Sequence, residues 1–505
     1  MRRLNRRQLG AVATAFALTL TACSGAKAPQ DAAGDSSGDG QLDADATASA
    51  GADPAATASG ADPSAAPGAA AGPGASGGPT TGGSGGTAPG TSGGAPGTSG
   101  GRPGTGGTSG GSGTTTSGPN LFAGEANTRG ITNDQITLCG HAALTYGPAF
   151  NATPADFNVY YSAVNDAGGI FGRKITATYE NDDYKPATAI QAAEACKGKN
   201  PFAILGGIGF DQIPGVRNWA EANKELYLHH IATEKGTAGK AYSYTTQPSV
   251  EGVGRAFGEL TASKFRTKKI GILYRDSEFW APGFEAFLSI AKSQKLDVVL
   301  SVPVTQNQAN YTQALLQLKN AGAEVVWGWE NTLALTQMVK QAKAQNYSPQ
   351  WVAFPFNLTA QTLEDDALTP PMVGLASWPG YSKGDYAGSF AEYAGDMKEF
   401  EQQYQKYRPN TDIGGVAGDL LWLNWVEQKR LVEMLRACGA NCTRNSFVGV
   451  LAGGYRKTVG PTCELNFSGG RHNGSGNLVN VMETYRAPSG KVNWRSTSRC
   501  RKSFL

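Results

Sequence analysis

Large apolar side chains divide the chain in two. From 24 to 118 there is no aromatic residue and no Val, Ile or Met, and Leu42 is the only large aliphatic. From 121 onward apolar positions return in two alternating rhythms. Short β-rich runs predict strands at 136–139, 174–179, 202–205 and 225–229. Helical spacing between them predicts helices at 155–167, 186–196 and 214–222, with Pro186 at a helix start and Gly198 just past its end. That alternation is the pattern of a doubly wound parallel sheet. It then restarts: helix 251–264, strand 269–274, helix 282–292, strand 296–304, helix 311–320, strand 324–327, helix 332–345, strands 350–354 and 373–377. Two α/β runs separated near Gln247-Pro248 predict two similar lobes. Long helical patterns follow at 390–407 and 416–437, then a Gly-rich segment and a hairpin-like end at 478–485 and 492–494.

Composition explains the silent stretch. Of 68 glycines in 505 residues, 28 fall between 24 and 118. A segment this poor in apolar surface cannot offset the entropy of ordering it. Its second half repeats Ala88-Pro-Gly-Thr-Ser-Gly-Gly at Ala95 and, shortened, at Arg102. Pro and Gly at this density exclude helix and strand. The expected form is a disordered leash with an r.m.s. span of roughly 50–60 Å. Its Gly-x-Ser-x-Gly matches carry no catalytic meaning, because no strand precedes and no helix follows them. The folded part contains no such match.

Arg2, Arg3, Arg6 and Arg7 precede a short apolar run at 9–22, the shape of an export signal and too short to span a bilayer. It ends Leu20-Thr-Ala-Cys23-Ser, which resembles the lipobox of bacterial lipoproteins. That resemblance implies diacylglyceryl transfer to Cys23 and cleavage before it, with the protein held on the extracytoplasmic face of the cell membrane. Asn5-Arg-Arg-Gln-Leu9 also faintly resembles a twin-arginine signal, so the export route stays open. A lipidated Cys23 accounts for the odd one among seven cysteines. The remaining six can form three disulfides in an oxidising compartment, and Cys438–Cys442, Cys139–Cys196 and Cys463–Cys500 are the favoured pairs among fifteen connectivities. Four scattered histidines show no zinc-ligand spacing, so no metal and no cofactor is expected. The leader carries +4 and 24–118 carries −5 within a total of +3, leaving +4 on the remainder, 3 − 4 + 5. That near-balance argues against nucleic-acid binding.

Asn165-Asp-Ala-Gly-Gly-Ile-Phe-Gly-Arg-Lys-Ile175, followed by Glu180-Asn-Asp-Asp-Tyr-Lys-Pro-Ala-Thr-Ala189, resembles a signature of type I periplasmic binding proteins of the branched-chain amino acid and amide transporter class. Gly206-Gly207, then Lys269-Ile-Gly-Ile-Leu-Tyr-Arg-Asp276 with Gly283, then Asn310-Tyr-Thr-Gln-Ala-Leu-Leu-Gln-Leu-Lys, match further family features in order. The resemblance spans about 130–494. It implies two α/β lobes joined by three crossovers, a monomer that closes on a small molecule. It also implies delivery of that molecule to the permease and ATPase subunits of an ABC transporter. The expected division is 1–22 signal, 23–120 lipidated Cys and linker, 121–247 and 376–462 in lobe 1, and 248–375 and 463–505 in lobe 2.

Open α/β sheets bind beyond the carboxyl ends of their strands. That selects Tyr146 and Phe150, the 208–211 loop with Gly209, Phe210 and Asp211, and Ala232-Thr233-Glu234 in lobe 1. In lobe 2 it selects Phe279-Trp280, Trp329-Glu330 and 354–357 with Phe356. In amino-acid-binding relatives the 207–211 loop offers hydroxyls to a carboxylate, whereas here it reads Gly-Ile-Gly-Phe-Asp. Thr233 matches the family's hydroxyl in the next loop. Phe356 stands where relatives hold the ammonium with an acid, and Glu330 or Asp211 is the possible substitute. A plain α-amino acid ligand is therefore doubtful, and Trp280 and Trp329 suit a flat or apolar one. Trp329 reads equally well as lobe core. Asp211 and Glu330 read equally well as charges favoured at helix starts. A ligand-sensing ectodomain of the same fold is the alternative reading. A surface enzyme is the second, with no catalytic constellation in its favour.

Overall fold

The computed structural model describes residues 120–505 apart from Asn127, 146–151, Ile208, 306–307, Asn331, 354–371, 387–389, 415–417 and 487–491. The leader, Cys23, the leash, Tyr146, Phe150 and Phe356 lie outside the described residues.

Strand β1 (Gln135–Ala142) leads to a 3-10 turn at Asp156–Asn158 and helix α1 (Val159–Asp166). Then come β2 (Lys174–Asn181), α2 (Pro186–Gly198), β3 (Ala203–Gly206), α3 (Ile213–Asn223), β4 (Tyr227–His229), α4 (Glu234–Thr237) and β5 (Ser243–Thr245). The five strands form one parallel sheet in the order β2-β1-β3-β4-β5. Central β1 is buried almost throughout, whereas edge strand β2 alternates exposed and buried positions, as a strand with one neighbour should.

The second run opens with α5 (Val250–Phe265), capped by the Ser249 side chain. It continues through β6 (Lys269–Arg275), α6 (Ala281–Ser293), β7 (Asp297–Val304), α7 (Thr312–Asn320), β8 (Val325–Trp329), α8 (Thr332–Ala344), β9 (Gln350–Ala353) and β10 (Met372–Ala376). Helices α9 (Ala391–Tyr407), α10 (Gly418–Cys438) and α11 (Arg444–Ala452) follow, then a two-stranded ribbon of β11 (Arg456–Lys457) and β12 (Leu465–Asn466). Strands β13 (Val479–Arg486) and β14 (Val492–Arg501) end the chain. The larger sheet has the order β14-β13-β10-β9-β8-β6-β7. Its parallel part, β7-β6-β8-β9-β10, repeats the order of the first sheet, and β13 and β14 extend it antiparallel. The fold is therefore mixed α/β with mostly parallel sheets, as the sequence pattern predicts.

The chain passes between the sheets three times. It leaves the first after β5 and the second after β10. Helices α9 and α10 then return to the first-sheet layer, where Tyr404 donates to Asp156 O at 2.7 Å and Gln428 to Phe157 O at 2.6 Å. The chain rejoins the second sheet at β13. Two of the passages are tied together. Thr245 N–H donates to His472 O at 2.8 Å, and Ser249 N–H to Asn477 Oδ1 at 3.0 Å.

Cys139–Cys196 joins β1 to α2, Cys438–Cys442 closes the end of α10, and Cys463–Cys500 fastens β14 to the segment before β12. These are the pairs favoured from the sequence. The segment read only as Gly-rich holds α11. A capping box of Thr443 and Ser446 starts it. Arg444 anchors it through a buried ion pair to Glu225 at 3.2 Å and another to Glu125 at 2.8 Å. Neither contact leaves a periodic trace in nine residues.

Candidate functional site

In an open parallel sheet the crevice lies where the strand order reverses. Both sheets reverse between their first and third strands, at β1/β3 and at β6/β8. Gly206 ends β3, and the next loop carries Gly209, Phe210 and Asp211 into α3. Arg275 ends β6, while Trp329 ends β8 and is followed by Glu330. The two reversal points meet. Arg275 lies 2.9 Å from Asp211 and 3.1 Å from Glu330; Arg275 and Glu330 are buried and Asp211 is partly so. Ser277 donates to Asp211 at 3.2 Å, and the Trp280 indole N–H lies 3.5 Å from it. Tyr184, just after β2, sets its ring against the Arg275 guanidinium at 6.0 Å. The first-sheet loops therefore grip a cation supplied by the second sheet.

Beside this ion cluster lies a small, partly open apolar cavity. Phe210, Phe279, Trp280 and Trp329 form its aromatic wall. Trp280 meets Trp329 edge-on at 5.3 Å and Phe210 at 5.4 Å, the geometry that ring quadrupoles favour. Ile231, Val250, Val253, Ala376 and Val479 supply the aliphatic side, with the Trp378 indole, Gln247, Pro248 and Ser377 from the inter-sheet passages. Trp329 donates its indole N–H to Trp280 O at 2.8 Å, so its polar edge is satisfied.

Backbone geometry holds the turn from Gly209 to Gln212 in place. Gly209 has φ +132°, and a Cβ there would lie 1.8 Å from the Gln212 side chain. Gln212 donates to Asp182, which also pairs with His141 at 2.7 Å, and His141 reaches the Tyr227 hydroxyl at 2.8 Å. This carboxylate–imidazole–phenol chain is fully buried, and burial holds the Tyr227 hydroxyl well above its usual range. It braces the loop. His230, edge-on to Phe210, is pushed down to about 4 by burial, and His229 falls well below its usual value for the same reason.

The sequence-selected residues separate into three groups. Phe210, Trp280 and Trp329 come together on the cavity wall. Asp211 and Glu330 meet on Arg275, so neither carboxylate is a free partner for an ammonium. Ala232 and Thr233 lie off the cavity. Ala232 O accepts from Val250 N–H, and Thr233 Oγ1 caps α4 by accepting from Gly236 N–H at 2.9 Å. Sequence reasoning missed Arg275 because it ended strand β6 one residue early, at Tyr274. Applied to the true strand end, the same carboxyl-end rule would have selected it. Ser377 and Trp378, beyond β10, were overlooked although the same rule covers them. Among the described residues no group of three or more His, Cys, Asp or Glu could hold a metal ion.

No curated protein matches this chain at a significant level. A family model described as "Periplasmic binding protein" matches residues 145–483. Among solved structures, a fatty acid ABC transporter substrate-binding protein from Thermomonospora curvata is similar at TM-score 0.59 and 17% identity, covering 74% of this chain and 94% of that one. A solute-binding protein of an ABC transporter from Rhodopseudomonas palustris BisB5, in complex with 3,4-dihydroxybenzoic acid, is similar at TM-score 0.59 and 13% identity, covering 74% and 98%. Another from R. palustris, in complex with 4-hydroxybenzoate, is similar at TM-score 0.59 and 15% identity, covering 73% and 98%. At such identities these likenesses speak for the fold. With the family match across about two thirds of its length and the paired sheets described above, the chain belongs to the type I periplasmic binding proteins.

Proposed function

We propose that this protein is an extracytoplasmic solute-binding protein, lipid-anchored through Cys23. It captures a small apolar or aromatic molecule between two lobes and delivers it to the permease and ATPase subunits of an ABC transporter. Lobe 1 comprises 121–247 and 376–462; lobe 2 comprises 248–375 and 463–505. The observation that carries this reading is the aromatic-walled cavity at the meeting point of the two sheet reversals, whose described lining includes no charged side chain. A plain α-amino acid fits poorly. Its ammonium needs a free carboxylate, and Asp211 and Glu330 already share Arg275. Its carboxylate finds no hydroxyl in the 207–211 loop. The fatty acid and hydroxybenzoate proteins among the similar structures bind ligands with apolar bodies, which supports the same direction. Binding without turnover is the expected activity.

Native mass spectrometry of undenatured protein tests the ligand, with Trp emission following titration. An apolar or aromatic molecule should be retained or should quench emission. Ala376→Leu, which fills the cavity, should weaken its binding at least tenfold while the variant still melts cooperatively. Retention of a plain α-amino acid, or binding indifferent to the filled cavity, would refute the assignment.

A further inference from the structure

We infer that the ligand is uncharged and that its one polar group is held by Ser377. This inference rests on the cavity being the binding site, as proposed above.

Ser377 follows β10, lines the cavity and is fully buried. Its hydroxyl has no hydrogen-bond partner among the described residues. Its main chain is fixed, because its carbonyl accepts from Cys463 N–H at 3.2 Å and Cys463 is disulfide-bonded to Cys500. A buried hydroxyl without a partner is costly, and a ligand group that bonds it recovers that cost. A site built this way discriminates strongly against an analogue that lacks the polar group. The other polar groups along the wall already have work. Gln247 donates to Glu427 at 3.1 Å, the Trp329 N–H donates to Trp280 O, and the Trp280 N–H faces Asp211.

Charge points the same way. The described lining contains no Lys or Arg. The nearby cation, Arg275, is held by two carboxyl groups. An anionic ligand would have to displace one of them, leaving it buried and unpaired, or else lie unpaired against aromatic walls. A neutral alcohol, phenol, amide or ketone on an apolar body meets neither penalty.

The test uses the full-length protein at neutral pH, with calorimetry and Trp emission as readouts. The probes are matched sets: benzoate, benzyl alcohol and toluene, then octanoate and 1-octanol. The alcohol should bind about tenfold tighter than the acid anion of the same body, and benzyl alcohol about tenfold tighter than toluene. Ser377→Ala should bring benzyl alcohol down to the toluene level and leave toluene unchanged. Its melting temperature should match the wild type, which separates a binding role from a folding one. Tighter binding of the anions, or alcohol affinities unmoved by Ser377→Ala, overturns this inference alone. Failure of every probe to bind overturns it together with the apolar-ligand reading.

Discussion

Arg275 is 4% exposed and joins an acid from the first sheet's loops to one from the second's. Removing the guanidinium strands two carboxyl groups in a dry site, whereas neutralising one acid leaves the other on the cation. Arg275→Met should therefore cost about 3–5 kcal/mol in urea unfolding, and Asp211→Asn clearly less. Equal losses in the two variants would contradict the shared-cation arrangement. Burial also sets a pH dependence. His230 titrates near 4 in the folded protein and near 6.5 unfolded. Below about 6.5 the unfolded chain binds a proton that the native site refuses. That stability is present in full above about 6.5 and falls as pH drops toward about 4, by on the order of 3 kcal/mol. His229 is shifted in the same direction and adds to the slope. Denaturation midpoints measured across this window should fall with acid, and His230→Gln should flatten the fall. A flat wild-type profile would exclude a neutral buried His230.

At the scale of elements, helices α5 and α6 approach closely enough to demand glycine. A Cβ on Gly254 would lie 2.0 Å from Gly283 O, and one on Gly283 would lie 2.3 Å from the Trp329 ring. Gly254→Ala must push the helices apart, and overpacking of this kind costs about 1–3 kcal/mol. The same substitution should shift Trp329 emission through Gly283. A variant with wild-type stability and emission would show that the helices are not so tightly seated. Most elements were legible because periodicity is a local property: every long strand and helix of both α/β runs falls within a few residues of its predicted bounds. Those that were not legible are short. Strand β5 has three residues, and α11 has nine, whose buried apolar face of Phe447, Val448 and Leu451 spans little more than one turn. The candidate site was half legible. The strand-end rule located Phe210, Trp280 and Trp329. It could not show that Asp211 and Glu330 share a cation, because that depends on two reversal points meeting in space.

At the scale of the whole molecule, the lipid anchor and leash complete the proposed function and have their own test. In a bacterial host, wild-type protein should partition into detergent, and Cys23→Ala should shift it to the soluble extracytoplasmic fraction with ligand binding unchanged. Equal partitioning of the two would remove the anchor from the proposal. The sequence by itself determined the elements, their alternation, the family signature, the cysteine parity and the two-part division of the chain. Each of these is carried by neighbours along the chain or by composition. Only the tertiary structure decided which charges are spent, which indoles are core and wall at once, and which hydroxyl lacks a partner among the described residues. Those properties arise between residues brought together by the sheet order, and burial there turns a modest interaction into a selective one.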